Sequence, residues 1–447
     1  MLVCFRAENF RSICDPIELN LRPAPRLRNH KSHVVQPIKS NLDLKVLKTS
    51  LIYGANASGK SNIVKAIDFV QNLITSSKAS DEKIDFTPFK VTKTPKESAS
   101  FYIEFTIDSF HLALTFEVNK DRILYERLSY IEKNREKIIY ERKSDKDFHE
   151  FNSDIITDSE TLNFISALSK YAPENTSIIN FVSQNGKIQK DLPQNFTSYL
   201  RAAFFYFKYC LVIVFPNSRY GGLTDDVQDG TINSYTANIK DFDTGIDSLN
   251  IEKVESSLFS PSLINKIKKE IEILDQPIKF ENNFREYTAT KNGDEIDIHE
   301  IILKHKDIHG NQFDFSTSEE SDGTVRLLDL IPVLSNSEAL KNVLKPTFIV
   351  DEFDRSLHPN LSKLFLEKFL STDTHAGQFI VTTHQSELLD LKLIRRDEIW
   401  FAQKEWNQST SLYSLNDYST RHDKDIRSAY LNGLFGAIPI VERTSNE

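Results

Sequence analysis

The sequence predicts an α/β fold in which a largely parallel sheet carries a phosphate-binding loop, joined to an antiparallel β lobe and a helical insertion. Three observations predict it. The run GANASGKS from Gly54 to Ser61 fits the pattern GxxxxGK[ST] and stands between an apolar strand and an amphipathic helix. Between Ala99 and Glu141, aromatic and β-branched residues recur at period two with short polar turns between them, the pattern of an antiparallel meander. From Thr324 onward, helical and short apolar strand segments alternate, which implies parallel pairing.

Taken in order, Leu2 to Phe10 alternates as a strand, and the apolar run Val46 to Tyr53 is a second strand that ends at a glycine. The polar loop between them holds RLRNHKSH, Arg26 to His33, which offers either phosphate contacts or a plain solvated surface. Past Gly59, Ile63, Ile67, Val70 and Ile74 recur at helical spacing. After the meander, 148–300 reads as mostly helical, with helices over 159–171, Gln194 to Tyr209 and Pro261 to Leu274. The turn at His309, Gly310 and Asn311 signals a hairpin between Ile302-Leu303 and Phe313 to Phe315. A helix from Thr324 to Leu334, a strand from Thr347 to Val350, a helix from Pro359 to Leu370 and strands Gln378 to Thr382 and Glu398 to Gln403 complete the chain. The reading divides it into 1–147, the insertion 148–300, and 301–447.

Composition sets limits on function. The 447 residues carry 55 Lys and Arg against 64 Asp and Glu, a net charge of −9, which argues against a basic nucleic-acid coat or a membrane-surface protein. With 39% hydrophobic and 27% charged residues, the chain is neither collagen-like, disulfide-dense nor wholly disordered. Cys4, Cys14 and Cys210 form no CxxC pair, so a reducing cytoplasm is expected. The N-terminus lacks the apolar core of a secretory signal, and the longest apolar stretch, Ala202 to Phe215, is too short to span a bilayer. It reads as a buried helix running into a core strand.

The chemistry follows from the motifs. Glycines let backbone N–H groups approach phosphates at a helix N-terminus; Lys60 reaches the β- and γ-phosphates, and Ser61 holds Mg²⁺. The strand TFIVDE ends in Asp351, placed to bind Mg²⁺ through water, and Glu352, placed to orient and deprotonate an attacking water. The strand FIVTTH delivers His384 to the sheet edge where ligands of open α/β sheets collect. Ser321 and Gly323, in SEESDGT, open a helix and read either as a cap or as an anion-binding surface. His299, His305 and His309 lack the spacing of a zinc site.

The order of these motifs resembles the ABC-class ATPases of the SMC, Rad50 and RecF group. ENFRS (Glu8 to Ser12), YGANASGKSN, ESDGT (Glu320 to Thr324), DEFDRSLHP (Asp351 to Pro359), TTHQSELLD and the tail AYLNGLFGAIP resemble more narrowly the RloA-type AAA ATPases of phage-defence and abortive-infection modules. The resemblance implies a P-loop NTPase of the ABC-ATPase class with ATP and Mg²⁺ as cofactors. By matching position, it implies that Gly54, Asn56, Ser58, Gly59, Lys60, Ser61 and Asn62 hold nucleotide, that Ser61 and Asp351 hold the metal, and that Lys60, Glu352 and His384 serve hydrolysis. It further implies that Ser321 and Gly323 reach the γ-phosphate held by a second subunit, so that ATP closes a head-to-tail homodimer, with larger assemblies open. Asp354 matches the loop linking the two sites, and Arg11 and Ser12 match a strip near the nucleotide. ESDGT stands where the wider class has a fuller LSGGQ-like signature, and the Gln loop has no assigned position.

The function expected is an ATP-driven dimeric switch of an antiviral module controlling a separately encoded effector, a nuclease being one candidate. Only 63 residues follow His384, and they hold no second acidic cluster of the kind a two-metal nuclease needs. The alternative is a repair or chromosome-maintenance ATPase of the RecF kind that clamps DNA with a local basic patch, at Arg26, Arg28 and Lys31 or in the segment Lys120 to Lys146. A third class is a monomeric P-loop phosphotransferase. No membrane partner is expected.

Overall fold

The structure, a computed structural model, describes residues 1–76, 79, 81–93, 95–132, 135–144, 149–151, 163, 171–217, 232–274, 278–282, 285–293, 295–334, 345–371, 377–418 and 425–439. They fall into two compact units, Met1–Ile213 with Leu344–Phe353 and Asp373–Glu447, and Val214–Val343 with Asp354–Thr372. These limits differ from divisions at 148 and 300, because long-range strand pairing, and not local composition, decides which segments close on one another.

In the first unit, β1 (Leu2–Glu8) and β2 (Ile17–Asn20) pair antiparallel. Short strands β3 (Val34–Val35) and β4 (Val46–Leu47) pair with each other and lead into β5 (Thr49–Tyr53), whose five residues are all buried. A strand buried on both faces reads as a continuous apolar run, and such strands sit at the centre of parallel sheets. The helix Lys60–Thr75 follows and buries Ile63, Ile67, Val70 and Ile74. The meander is β6 (Ala99–Ile107), β7 (Phe110–Val118), β8 (Ile123–Glu132), β9 (Arg135–Lys143) and β10 (His149–Phe151), which extends β1 and β2 into a seven-stranded sheet ordered β10-β9-β8-β7-β6-β1-β2. Beyond it come helices Ile178–Gln184 and Gln194–Phe205, and then a π-turn over Tyr206–Cys210 that feeds β11 (Leu211–Val214). Gln71 donates to the Phe207 and Leu211 carbonyls at 2.7 and 2.8 Å, receiving backbone oxygens at this helix-to-strand change. The helix expected over 159–171 lies, but for 163 and 171, outside the described residues.

The second unit carries, beside its helices, an antiparallel sheet of which the sequence reading placed only the hairpin about His309 to Asn311. Besides the helices Ile232–Lys240 and Pro261–Leu274, it holds β12 (Ile246–Val254), β13 (Ile278–Asn282), β14 (Arg285–Asn292), β15 (Glu295–Lys306) and β16 (Gln312–Ser316). All pair antiparallel; β15 takes β12 along one edge and β14 and β16 along the other. The helix Pro261–Leu274 lays Ile267 and Ile271 against Phe259, Ile278, Ala289 and Ile298, a small core that closes one face of this sheet. Many of the remaining strand residues are half-buried or polar, which blurred the period-two signal.

The chain then returns to the first unit with β17 (Thr347–Val350), β18 (Gln378–Thr383), β19 (Ile399–Lys404) and β20 (Thr410–Ser414). The six-stranded sheet has the order β11-β17-β18-β5-β19-β20. Strand β18 is parallel to both β17 and β5, and β19 is parallel to β5, whereas β20 is an antiparallel edge strand that the sequence reading omitted. Gln378, fully buried, fastens this sheet to its neighbours: its amide accepts from Leu2 N and donates to the Leu2 and Leu47 carbonyls. The glycine-rich tail packs on the core, with the Phe435 ring stacked 5.6 Å from Phe401 and Ala437 N donating to Gln403 at 3.0 Å. The whole is a P-loop NTPase fold, a mixed sheet with an antiparallel lobe. Among the described residues no helix is long and apolar enough to cross a membrane.

Candidate functional site

Strand register brings the first group of predicted residues to one edge. Val350 is level with Val381 on β18, and Thr382 and Thr383 are level with Ile52 and Tyr53 on β5. All three strands run the same way, so Gly54, Asp351 and His384 leave the sheet at the same C-terminal edge. At about 4.8 Å per strand, the backbone at Asp351 stands roughly 10 Å from that at Gly54, a span suited to a phosphate and a hydrated metal ion.

The loop itself is built by close packing. A Cβ on Gly54 would lie 2.4 Å from the Ala402 carbonyl, and one on Gly59 would lie 1.9 Å from Thr410 Oγ1 and 2.8 Å from Ser12 Oγ. Gly59 also has φ of 102° and Ala57 has φ of 61°, so two residues of the loop are left-handed, one of them at the cost that a Cβ imposes there. Lys60 is buried, and its ammonium donates to the Gly54 and Ala55 carbonyls at 2.8 and 3.1 Å, which keeps the charge over the loop. Asn56 is exposed; Ser58 is buried and its Oγ has no hydrogen-bond partner among the described residues. Ser61 is half-buried at the first turn of a helix 16 residues long, whose N–H groups and dipole favour an anion.

ENFRS supports this helix from behind. Asn9 and Arg11 are left-handed, with φ of 53° and 54°. Asn9 donates to the Lys96 and Ser98 carbonyls, and Phe10 packs on Phe69 and Phe101 at 5.3 and 5.5 Å. Ser12 Oγ accepts from Asn62 at 2.7 Å and meets Thr410 Oγ1 at 2.8 Å, while Thr410 Oγ1 donates to the Ser58 carbonyl at 2.9 Å. One chain of side-chain bonds thus joins Asn62, Ser12, Thr410 and the phosphate loop. On the same helix, burial pushes the Asp68 carboxyl above its ordinary range, against the pull of Asn72 and Arg11.

At the end of β17, Asp351 is buried, and its Oδ1 accepts from Thr382 Oγ1 at 2.6 Å. The same hydroxyl accepts from Glu352 N at 2.8 Å, and Phe353 N donates to the Thr382 carbonyl at 3.0 Å. Glu352 takes φ of 48°, which turns the chain off the strand and leaves its side chain half-buried. His384 is exposed. Thr382 and Thr410 are the positioning residues that sequence reasoning missed: nothing distinguishes Thr382 from Thr383 in TTH, and Thr410 lies 398 residues from Ser12.

Ser321, Gly323 and Asp354 belong to the second unit. Ser321 Oγ accepts from Thr324 N at 3.1 Å and caps the helix Asp322–Leu334, with its own position exposed. A Cβ on Gly323 would lie 2.7 Å from the Ser356 carbonyl, so this glycine admits the loop that follows Asp354. In that loop Leu357 N donates to the Asp354 carbonyl at 3.1 Å, and Arg355 donates to Asn217 at 2.6 Å. Among the described residues no three or more His, Cys, Asp or Glu stand where they could hold a metal ion on their own.

The family described as AAA domain, putative AbiEii toxin, Type IV TA system matches residues 50–390, and the chain belongs to this family of AAA domains. The chain is similar to a solved SMC head bound to the C-winged helix domain of ScpA, at 16% identity over 92% of this chain and 97% of that one, with a TM-score of 0.41. It is also similar to the SMC head domain from Thermotoga maritima, at 13% identity over 92% and 98%, with a TM-score of 0.35. No curated protein matches it.

Proposed function

We propose that the chain binds and hydrolyses ATP with Mg²⁺, and that ATP closes a head-to-tail homodimer acting as a switch on a separately encoded effector in an anti-phage module. The observation that carries the reading is the shared sheet edge, where β5, β17 and β18 deliver Lys60 and Ser61, the pair Asp351 and Glu352, and His384. The donor set suits Mg²⁺: the Ser61 hydroxyl and the Asp351 carboxylate are few hard oxygens, and this ion keeps several waters and takes phosphate oxygens for the rest. Metal bound there would neutralise charge on the phosphates. Lys60 would stabilise the γ-phosphate, Glu352 would take a proton from the attacking water, and His384 would contact the γ-phosphate. Ser321 and Gly323 would be presented to a second copy's nucleotide by an exposed helix N-terminus, with Asp354 linking the two sites. The family's description, which names a putative toxin of a type IV toxin–antitoxin system, supports an abortive-infection setting, and the RloA-like wording of the motifs supports that narrower branch.

The test is the solution mass of wild type and Glu352→Gln, each with and without ATP and Mg²⁺. The variant should lose about 10²- to 10⁴-fold in turnover, the usual contribution of a general base, and should hold an ATP-dependent larger species. A nucleotide-independent mass together with undiminished turnover would defeat both the dimer and the role of Glu352.

A further inference from the structure

A cleft of about 900 Å³ lies in the first unit, walled by the loops between β2 and β5 and by the segment just before β19. Its position is set by strand direction. Lys45 enters ahead of β4 and β5, and Arg395 ahead of β19, so the cleft opens at the N-terminal edge of strands whose C-terminal edge carries the phosphate loop. Five residues of β5 at about 3.3 Å each put the two edges roughly 17 Å apart. All of its lining residues fall between 22 and 45 or at 395, outside the 50–390 match that defines the AAA domain.

The lining is cationic on an acidic protein. Arg28, Lys31 and Lys45 are exposed and have no ion pair among the described residues; Arg22 is shared with Glu104, and Asp43 is the single carboxylate in the wall. Between the charges, Pro23, Leu27, Val34 and Leu44 supply apolar surface. Three like charges gathered around a concave apolar wall focus a positive potential that the one wall carboxylate, Asp43, offsets only in part.

The frame is rigid where it matters. Arg395, 1% exposed, donates to both carboxylate oxygens of Asp397 at 2.8 and 2.7 Å and to the Asn29 carbonyl at 2.6 Å. Asp397 in turn accepts from Ala24 N at 2.7 Å. The segment from Ala24 to Asn29, which presents Arg28, is therefore held at both ends by one buried ion pair; Lys31 follows it, and His33 accepts the Lys48 amide on its carbonyl at 2.8 Å where the chain rejoins the sheet. A site already ordered this way binds without the entropic cost of ordering its walls.

We propose that this cleft binds a small phosphate-rich ligand of nucleotide size, its phosphates on Arg28, Lys31 and Lys45 and its less polar body against Leu27, Val34 and Leu44. The volume falls within the range of about 300–1,000 Å³ usual for small-molecule sites. No aromatic side chain lines the cleft, so it lacks the stacking platforms by which proteins hold successive bases of a single strand.

The probe is inorganic tripolyphosphate, titrated calorimetrically at low salt into the full chain, into Lys60→Ala and into the triple variant Arg28→Gln, Lys31→Gln, Lys45→Gln. Two sites are expected on wild type. Lys60→Ala should keep the cleft site, and the triple variant should keep the phosphate-loop site while losing the other by at least tenfold in affinity. The three changed residues are exposed, so the variant's circular dichroism should match wild type. A number of sites left unchanged by the triple substitution, whether one or two, would overturn the assignment. Tighter binding of a twelve-nucleotide single strand than of tripolyphosphate, with the same dependence on the three cations, would overturn it in favour of a nucleic-acid site. Loss of one of two sites in Lys60→Ala bears only on the ATP site, whereas loss of all binding there would overturn the cleft site, so the two readings fail separately.

Discussion

Thr382→Val removes one oxygen from a fully buried position and keeps the shape of the side chain, so its effect isolates the two hydrogen bonds that this hydroxyl makes. It donates to Asp351 Oδ1 at 2.6 Å and accepts from Glu352 N at 2.8 Å. Losing a bond to a carboxylate costs about 1.5–3 kcal/mol, and leaving an amide N–H without its acceptor costs about 1–3 kcal/mol. Asp351 is 2% exposed, so water does little to replace the lost donor. Because Glu352 is half-buried, water can reach part of this turn, which places the expected loss at the lower end of the sum, about 3 kcal/mol. Urea unfolding measures that loss. Turnover should fall by about 10²-fold, the scale expected when a reacting group is displaced by an ångström, whereas nucleotide affinity should hold because the phosphate loop is untouched. Thr382→Ser restores the hydroxyl and should restore turnover. Wild-type turnover in Thr382→Val, with a stability change under about 1 kcal/mol, would refute the view that one threonine sets the Asp351 carboxylate and the Glu352 backbone.

Gly59→Ala forces a Cβ to within 1.9 Å of Thr410 Oγ1 at φ of 102°, so nucleotide binding measured by fluorescence titration should weaken at least tenfold. Adding Thr410→Ala removes the 1.9 Å contact but leaves the Cβ of residue 410 at 2.9 Å, Ser12 Oγ at 2.8 Å and the left-handed backbone, which alone costs about 1–2 kcal/mol, so recovery should be partial. Burial alone would raise the Glu104 carboxyl, but the His111 hydrogen bond at 2.6 Å and the Arg22 guanidinium outweigh it and hold the group below its ordinary value of 4.5. A depressed carboxylate contributes stability that is present above its unfolded value and lost as pH falls through the folded one. Wild type should therefore lose stability on acidification below pH 4.5, and Glu104→Gln, weaker at neutral pH, should show a flatter acid limb in thermal melts.

The phosphate loop was legible because its chemistry demands contiguous residues: a glycine where Ala402 closes in, a glycine at φ of 102°, then a lysine and a serine opening a helix. The parallel strands themselves, though not their order, were legible for a similar reason, since β5, β17 and β18 are buried on both faces and read as largely apolar runs. The sheet of the second unit was not. In EIDIHEIILKHK only part of β15 alternates, and its partner β12 lies some 50 residues earlier across a 14-residue helix, so neither strand announces the other. Residues that act through long-range bonds were equally hidden, Thr410 above all, because its value lies in touching Ser12 and Ser58 at the far end of the chain.

The glycines make a sharper point about what a motif encodes. The chain has only 13 of them, and at Gly54, Gly59, Gly323, Gly377 and Gly436 an added Cβ would come within 2.7 Å of a neighbouring atom or closer. For Gly54, Gly323 and Gly377 that neighbour is a carbonyl oxygen, of Ala402, Ser356 and Pro346 respectively, so each glycine admits a backbone segment that cannot retreat as a flexible side chain would. Gly377 belongs to none of the nucleotide motifs and obeys the same rule: Gln378 N donates to the Pro346 carbonyl at 2.9 Å, the contact that brings β18 beside β17. Close backbone approach is thus the common cause at these three positions, and the phosphate binding proposed for the loop would be one use of it. The same reasoning separates two meanings of Gly323. Its local role, admitting the turn after Asp354, follows from geometry within one copy of the chain, whereas a role toward a second copy's nucleotide rests on the exposed helix end that Ser321 caps. The mass measurement on Glu352→Gln addresses the second meaning without disturbing the first, because Glu352 is no part of that turn's packing against Gly323.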